Sequence, residues 1–385
     1  MRILTRTDEL RAFCAAALTH PYVTIDTEFL RERTYYARLC LIQMAFPGKG
    51  EDTGVLVDTL SDDLDLQPLY DLFRNESVVK VFHAARQDLE IFYVEGGVFP
   101  KPFFDTQVAA MVCGFGDQVG YETLVRKIAR QSIDKSSRFT DWSRRPLSDK
   151  QQHYALADVT HLRDVYEVLA ERIKTTKRTA WVEEELEMLT DPATYTITPD
   201  QAWRRVKTRT HSPRFLGLVR ELARFREEFA QRRNVPRSRV YKDDALLELA
   251  SAKPQNLEDL GRSRLLLREA RKGDIAEGIL KAIADGLACP DKNLPKPPAQ
   301  KARGPGNEGL SDLLRVLLKA KAEQAGVAPK LIASASELED IASGDTDGHA
   351  LKGWRRDVFG ADALKLCQGK IALSADGSSV KLIEL

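Results

Sequence analysis

Residues 23–29, Val-Thr-Ile-Asp-Thr-Glu-Phe, constrain this chain more than any other stretch. The β-branched and aromatic residues mark a strand. Side chains alternate along a strand, so Asp26 and Glu28 point to the same side. Two carboxylates about 6 Å apart repel by roughly 2–3 kcal/mol at an effective dielectric near ~20. A fold that retains the pair needs something that rewards two like charges on one strand face.

The surroundings set the fold class. "ARLCLIQMAF", "GVLVDTL" and "VVKVFHA" are further β-type runs bounded by Gly, Pro and Asp. "LDLQPLYDLF", "ARQDLEIFYVEGG", "GYETLVRKIAR" and "SDKQQHYALADVTHLRDVYEVLAERI" have helical spacing, and "PFFDTQVAAMVCGF" reads as a short strand running into a helix. Residues 1–195 are therefore expected to form an α/β domain with a mixed sheet. Residues 207–288 and 308–376 are helical throughout. Both start with a long helix, turn at "NVP" or "GVAP", and continue with a short helix seeded by "DD" or "AS". That is the pattern of a diverged internal repeat. Between them, 289–307 is a Pro-rich polar linker, and the final "GSSVKLIEL" reads as a short tail.

Charge separates the halves. Residues 1–200 carry 24 Lys and Arg against 32 Asp and Glu, whereas residues 201–290 carry 20 against 12. An acidic half beside a basic one is expected of cation-dependent chemistry joined to a polyanion-binding module. No apolar run has the length of a membrane span, and "MRILTRTDELRAFC" lacks the apolar core of a signal peptide. The five cysteines are scattered and contain no CxxC, which suits reduced thiols in a cytoplasm and disfavours zinc. With no long apolar seam, the chain is expected to be a monomer.

The two strand acids have company. Asp88 follows the "VVKVFHA" strand in "FHAARQDLEIF", and Asp158 lies in the helical "HYALADV", four residues after Tyr154 and on the same helix face. Any one of these acids alone reads as a solvated or capping residue, and Asp88 in a first helical turn would be favoured by the macrodipole. Together they form an oxygen donor set that suits Mg²⁺ or Mn²⁺, and two such ions ~3.5–4 Å apart serve phosphodiester cleavage.

"IDTEF", "FHAARQDLEIF" and "YALADV" resemble the three exonuclease motifs of the DEDD nucleases, and "SSRFTDWSRRPLSDKQQHYALADV" resembles the ribonuclease D family. The resemblance covers essentially the whole chain. It implies a ribonuclease H-like mixed sheet flanked by helices, followed by two all-α HRDC-like domains. It implies two divalent metal ions on Asp26, Glu28, Asp88 and Asp158, with Tyr154 assisting the attacking water. Thr27, His83, Gln87, Arg138 and Trp142 are the substrate contacts expected beside them, with Arg144 and Arg145 in the same basic-aromatic cluster. The implied activity is 3′–5′ hydrolysis of RNA with a free 3′ end, releasing nucleoside 5′-monophosphates in the maturation of tRNA precursors and other small structured RNAs. A 3′–5′ DNA exonuclease and a non-catalytic RNA-binding protein are the alternatives. His153, five residues before Asp158, competes with Tyr154 as the water-assisting residue. Helical geometry turns it about 140° away from the Asp158 face if the helix has begun at Ser148 or Asp149.

Overall fold

The computed structural model describes residues 2–48, 50–134, 136–138, 140–210, 212–296 and 307–385. Among them, β1 (Ile3–Leu4), β2 (Tyr22–Leu30), β3 (Arg38–Ala45), β4 (Gly54–Val57), β5 (Val79–Phe82) and β6 (Phe103–Asp105) form one sheet in the order β1-β4-β3-β2-β5-β6. β2, β3 and β4 are antiparallel neighbours, while β1 joins β4, and β5 and β6 extend from β2, in parallel. The sheet is mixed, as expected. β1 is too short to show a period in sequence.

Helices α1 (Thr7–Ala17), α2 (Gln67–Arg74) and α3 (Arg86–Gly96) cover one face. They bury Leu10, Phe13, Leu69, Phe73, Leu89 and Phe92 against Val23, Ile25, Ile42, Met44, Val55 and Val57. The chain continues through α4 (Thr106–Val112), α5 (Tyr121–Leu124), α6 (Asp149–Thr175) and α7 (Thr179–Leu189). α6 crosses the other face of the sheet, where Leu162 meets Tyr22 and Val81, and Ala155 meets Leu41 and Leu56. Its start is set by a capping box of Ser148 and Gln151.

The first helical module comprises α8 (Pro213–Arg233), α9 (Arg237–Val240), α10 (Asp243–Ala252), α11 (Leu257–Gly261) and α12 (Gly273–Ala288) around a core that includes Leu222, Tyr241, Leu246 and Ile279. The second begins with α13 (Asn307–Ala325), α14 (Pro329–Ile332) and α15 (Ala335–Ala342) and has its own core around Leu317, Ile332, Ile341 and Phe359. A long helix, a one-turn helix after a proline or alanine-proline turn, and a third helix recur in the same order, as the sequence repeat implies.

Two expectations need correction. The C-terminal residues are not a tail: β7 (Ile371–Asp376) and β8 (Ser379–Glu384) form a hairpin turned at Gly377, whose φ is +61°. The Asp376-Gly377 pair supplies the turn signal. The Pro-rich linker is described only to residue 296, and its remainder lies outside the described residues. Its first part is docked, with Pro295 buried, Arg214 bonded to the Cys289 carbonyl at 2.6 Å and Arg220 to the Asn293 carbonyl at 2.8 Å.

Both modules are bolted to the α/β domain. Asn234 caps α8 at φ +47°, and its side chain accepts from the Tyr35 and Tyr36 N–H groups at 3.1 and 3.0 Å. Arg237 lies over the Tyr35 ring and pairs with buried Glu227. On the second module the fully buried Arg355 pairs with Glu184 and Glu185 of α7, while Trp181 and Trp354 stack at 4.5 Å. Gly114, at φ +75°, permits a close pass: a Cβ there would lie 2.6 Å from the Gly326 carbonyl oxygen.

Candidate active site

β2 pairs with β5 only over Tyr22–Thr24 and then runs on alone past the end of β5. The site forms at this step. Asp26 stands opposite Gln43 and Glu28 opposite Leu41, and the register shifts just beyond, between Glu28 and Phe29. Regular alternation therefore holds through both acids. Val23 and Ile25 face the α1–α3 layer. Thr24, of the opposite parity, has its hydroxyl 2.8 Å from the Val159 carbonyl of α6. Asp26 and Glu28 share that parity and look toward α6 and Asp158.

Asp88 arrives from the open edge, in the first turn of α3, and accepts a hydrogen bond from the buried Thr27 hydroxyl. The loop ahead of it is held by Asp105, which is 2% exposed. The Asp105 carboxylate accepts from the N–H groups of Ala84 at 3.0 Å and Ala85 at 2.8 Å, and also caps α4 through the N–H groups of Gln107 and Val108. From the opposite side come Tyr154 and, one helical turn later, Asp158, both on α6 and both lining the cavity over the acids. The Tyr121 hydroxyl donates to the Asp158 main-chain carbonyl at 2.5 Å.

The electrostatics follow from burial and crowding. Burial, then repulsion from Asp158, raises the Asp26 carboxyl well above the ordinary range; burial, then Asp26, does the same to Asp88 against the Thr27 hydrogen bond. Glu28 is pushed up to about 9 by burial and by Asp26, Asp158 and Asp88, with Arg138 opposing. Burial raises Asp158 to about 7, opposed by the Tyr154 hydroxyl and Arg138. Burial thus raises all four carboxyls, and Asp26, Glu28 and Asp88 are raised further by a neighbouring acid of the set. Burial also pushes the Tyr154 phenol up, so it stays a protonated donor. His83 is held neutral by burial. Thr106 donates to the Phe82 carbonyl, so its oxygen accepts from His83 Nδ1–H and leaves Nε2 as an acceptor.

An all-oxygen donor set of this kind fits a hard divalent cation. A further polar group supports the fit: the Gln43 carboxamide, fully buried opposite Asp26, has no hydrogen-bond partner among the described residues. The carboxylate oxygens nevertheless do not close into a cluster of three or more around one point among the described residues. One Asp88 oxygen is engaged by Thr27.

A cavity of about 420 Å³ opens over the acids, lined by Asp26, Asp158, Tyr154, Arg138 and His83 on one side and by Gln107, Tyr121, Glu122 and Ile133 on the other. Of the expected substrate contacts, His83 and Arg138 line it. Thr27 does not, because its hydroxyl faces away to Asp88. Gln87 is exposed outside the lining. Trp142 is a packing residue, 2% exposed among Cys40, Leu41, Leu147 and Ala155, with its ring 6.1 Å from Tyr154. It cannot stack on a base. Arg145 is likewise structural, bridging Asp58 and the Cys40 and Trp142 carbonyls, and Arg144 pairs with Asp141 on the surface. His153 is exposed, its ring bonded to the Asp149 carbonyl and absent from the cavity wall. Gln107, Tyr121 and Asp105 were missed. Only Asp105 left a signal, an Asp-Thr pair between a strand and a helix.

Residues 1–174 match the 3′–5′ exonuclease family, and residues 215–283 match the HRDC domain. The ribonuclease D of Jannaschia sp. (strain CCS1) is 63% identical over 382 residues, 99% of either chain. The ribonuclease D of Granulibacter bethesdensis is 49% identical, over 99% of this chain and 96% of that one. Among solved structures, Escherichia coli RNase D, an exoribonuclease involved in structured RNA processing, superposes with a TM-score of 0.83 at 27% identity, covering 96% of this chain and 98% of its own. Full-length likeness at these identities is more than a shared fold requires: the chain belongs to the ribonuclease D family of 3′–5′ exoribonucleases.

Proposed function

We propose that the cavity takes the 3′-terminal nucleotide of RNA and that Asp26, Glu28, Asp88 and Asp158 hold two divalent cations, Mg²⁺ or Mn²⁺, beside its phosphate. The observation that carries this reading is the convergence of four buried carboxyls with raised pKa from β2, α3 and α6, two of which, Asp26 and Asp158, line the cavity. When bound, the cations acidify the attacking water and neutralise charge on the phosphate and leaving oxygen. Tyr154, protonated and one turn before Asp158 on α6, orients the water through its phenolic oxygen. Arg138 faces the same wall and supplies a fixed positive charge for the phosphate. His83 Nε2 is the acceptor available to a nucleoside hydroxyl. Water adds to phosphorus and the bond to the 3′ oxygen breaks, leaving a shortened chain with a 3′-OH and a nucleoside 5′-monophosphate.

The net positive first helical module provides affinity for the rest of the RNA. The E. coli relative is described as acting in structured RNA processing. By that likeness the substrates here are the 3′ ends of tRNA precursors and similar small RNAs, acted on by a cytoplasmic monomer. The free cysteines are in keeping with a reducing compartment, and no helix among the described residues is long and apolar enough to cross a membrane.

The test is degradation of 5′-labelled RNA and its DNA counterpart, with EDTA, Mg²⁺ or Mn²⁺. Stepwise shortening from the 3′ end, release of 5′-monophosphates, loss in EDTA and recovery with either ion are expected. Asp26→Asn should slow the reaction by orders of magnitude. Full activity of that variant at saturating Mg²⁺ would sink the assignment, and equal or faster DNA digestion would move the enzyme to the DNA exonucleases.

A further inference from the structure

A second concavity, about 750 Å³ and larger than the one over the acids, lies where the α/β domain meets the first helical module. Arg31 and Tyr36 come from the β2–β3 connection, Arg86 and Tyr93 from α3, and Tyr195 and Arg205 from the segment between α7 and α8. Four arginines and four tyrosines face it against one glutamate, Glu90. Arg31 is paired with Glu90 at 2.6 Å, and Arg237 with Glu227. Arg86 and Arg205 are exposed and make no ion pair among the described residues. Tyr36, Tyr93 and Tyr195 are half-buried and line the groove, Tyr93 being stacked on Phe99 at 4.8 Å.

The groove and the acids are joined through the same two elements. Glu28 of β2 faces the acids, and Arg31, just past the end of that strand and three residues on, lines the groove, roughly 10 Å away along an extended chain. At the start of α3, His83 and Ala84 line the catalytic cavity and Arg86 lines the groove. A chain leaving the cavity around the N-terminus of α3 would therefore enter the groove directly. Cations that track a phosphate backbone, interleaved with aromatic rings, are the surface that single-stranded nucleic acid requires. An acidic peptide would use the arginines but not the rings.

We propose that this groove is the track for the single-stranded 3′ segment of the RNA, holding the nucleotides that precede the one being removed. Arg86 and Arg205 meet phosphates, and Tyr36, Tyr93 and Tyr195 lie against bases. The inference rests on the exoribonuclease reading for the direction of the strand, but not for the binding itself.

Binding is measured in EDTA, so that the RNA stays intact, for the full-length protein and an Arg86→Ala/Arg205→Ala double variant. Both side chains are exposed, and an unchanged melting temperature confirms folding. The gain in affinity from a dinucleotide to a dodecanucleotide should fall about tenfold in the variant, and the slope of log K against log[salt] should flatten by about 1.4, two contacts at ~0.7 each. RNA carrying 4-thiouridine three nucleotides from its 3′ end should crosslink to Tyr36 or Tyr93. An unchanged length gain and slope, crosslinks confined elsewhere, or equal competition by polyglutamate would each overturn the groove, even with hydrolysis intact. Conversely, a protein that shows the expected binding but cleaves no RNA would leave the groove standing and refute the activity.

Discussion

Asp105 offers the sharpest test of how the site is built, because it touches neither substrate nor the other acids. Its carboxylate accepts four main-chain N–H groups, those of Ala84, Ala85, Gln107 and Val108. Ala84 sits at φ +57°, a left-handed conformation that costs alanine about 1–2 kcal/mol. Asp105→Ala removes an N-cap, worth about 1 kcal/mol. It also leaves the buried Ala85 N–H without an acceptor, at about 1–3 kcal/mol. The sum, about 3 kcal/mol, should appear in urea unfolding followed by tryptophan fluorescence. With the loop released, Ala84 relaxes toward negative φ and α3 shifts, carrying Asp88 with it. A displacement of ~1 Å at such a group lowers turnover by about a hundredfold, while KM for RNA rises by less, because Arg138 and Tyr154 of the cavity wall keep their places. Ala84→Gly should do the reverse of what this substitution usually does and stabilise the protein by about 0.5–1 kcal/mol. An Asp105→Ala protein that loses under about 1 kcal/mol and keeps full turnover would refute this account.

Other substitutions separate the remaining roles. Tyr154→Phe should slow single-turnover RNA cleavage by about a hundredfold or more, whereas His153→Ala, altering an exposed ring, should have little effect; the opposite ranking in folded variants would move the role to His153. Because burial raises the carboxyls, Glu28 to about 9 and Asp158 to about 7, cation binding must release protons. Mn²⁺ affinity should rise with pH between those values and level off above them, and calorimetry that finds no pH dependence and no proton release would contradict the raised values. Trp142→Ala should destabilise by about 3–5 kcal/mol through a cavity behind Tyr154, and a loss of RNA affinity without a loss of stability would restore the stacking role. Arg355→Met leaves Glu185 buried and unpaired, at about 3–5 kcal/mol; adding Glu185→Leu should recover much of it, and a double variant no better than the single would show that the pair is not the linkage.

The sequence marked the strands and helices that have a period long enough to count, and it placed α6 from its cap. β2 was legible because seven residues of β-type sequence leave no helical alternative. β1 and the C-terminal hairpin were not, for different reasons. β1 is two residues long and is defined by its partner β4, while β7 and β8 are mostly exposed, so burial imposed little alternation on them. The docking of the modules was illegible altogether. Arg355 and Glu185 are 170 residues apart, and neither looks unlike a surface charge in its own segment.

At the site, what could be read was what local geometry determines. Two residues on a strand share a face, and two residues four apart on a helix share a face, so the Asp26–Glu28 and Tyr154–Asp158 pairs were accessible without a fold. Asp88 needed its motif, because nothing local says that a loop after one strand ends beside the open edge of another. The errors came from assigning chemistry to residue type. Trp142 and Thr27 are the kinds of side chain that touch RNA, but long-range packing buries both behind the residues that line the cavity. Trp142 backs Tyr154, and Thr27 holds Asp88, so each serves the acids from the dry side. The cavity wall that sequence left blank, Gln107 and Tyr121, is contributed by helices whose only local mark is amphipathicity. The division is physical: periodicity reports which way a side chain leaves its own backbone, and only the packing of distant segments decides whether that direction is solvent, substrate or core.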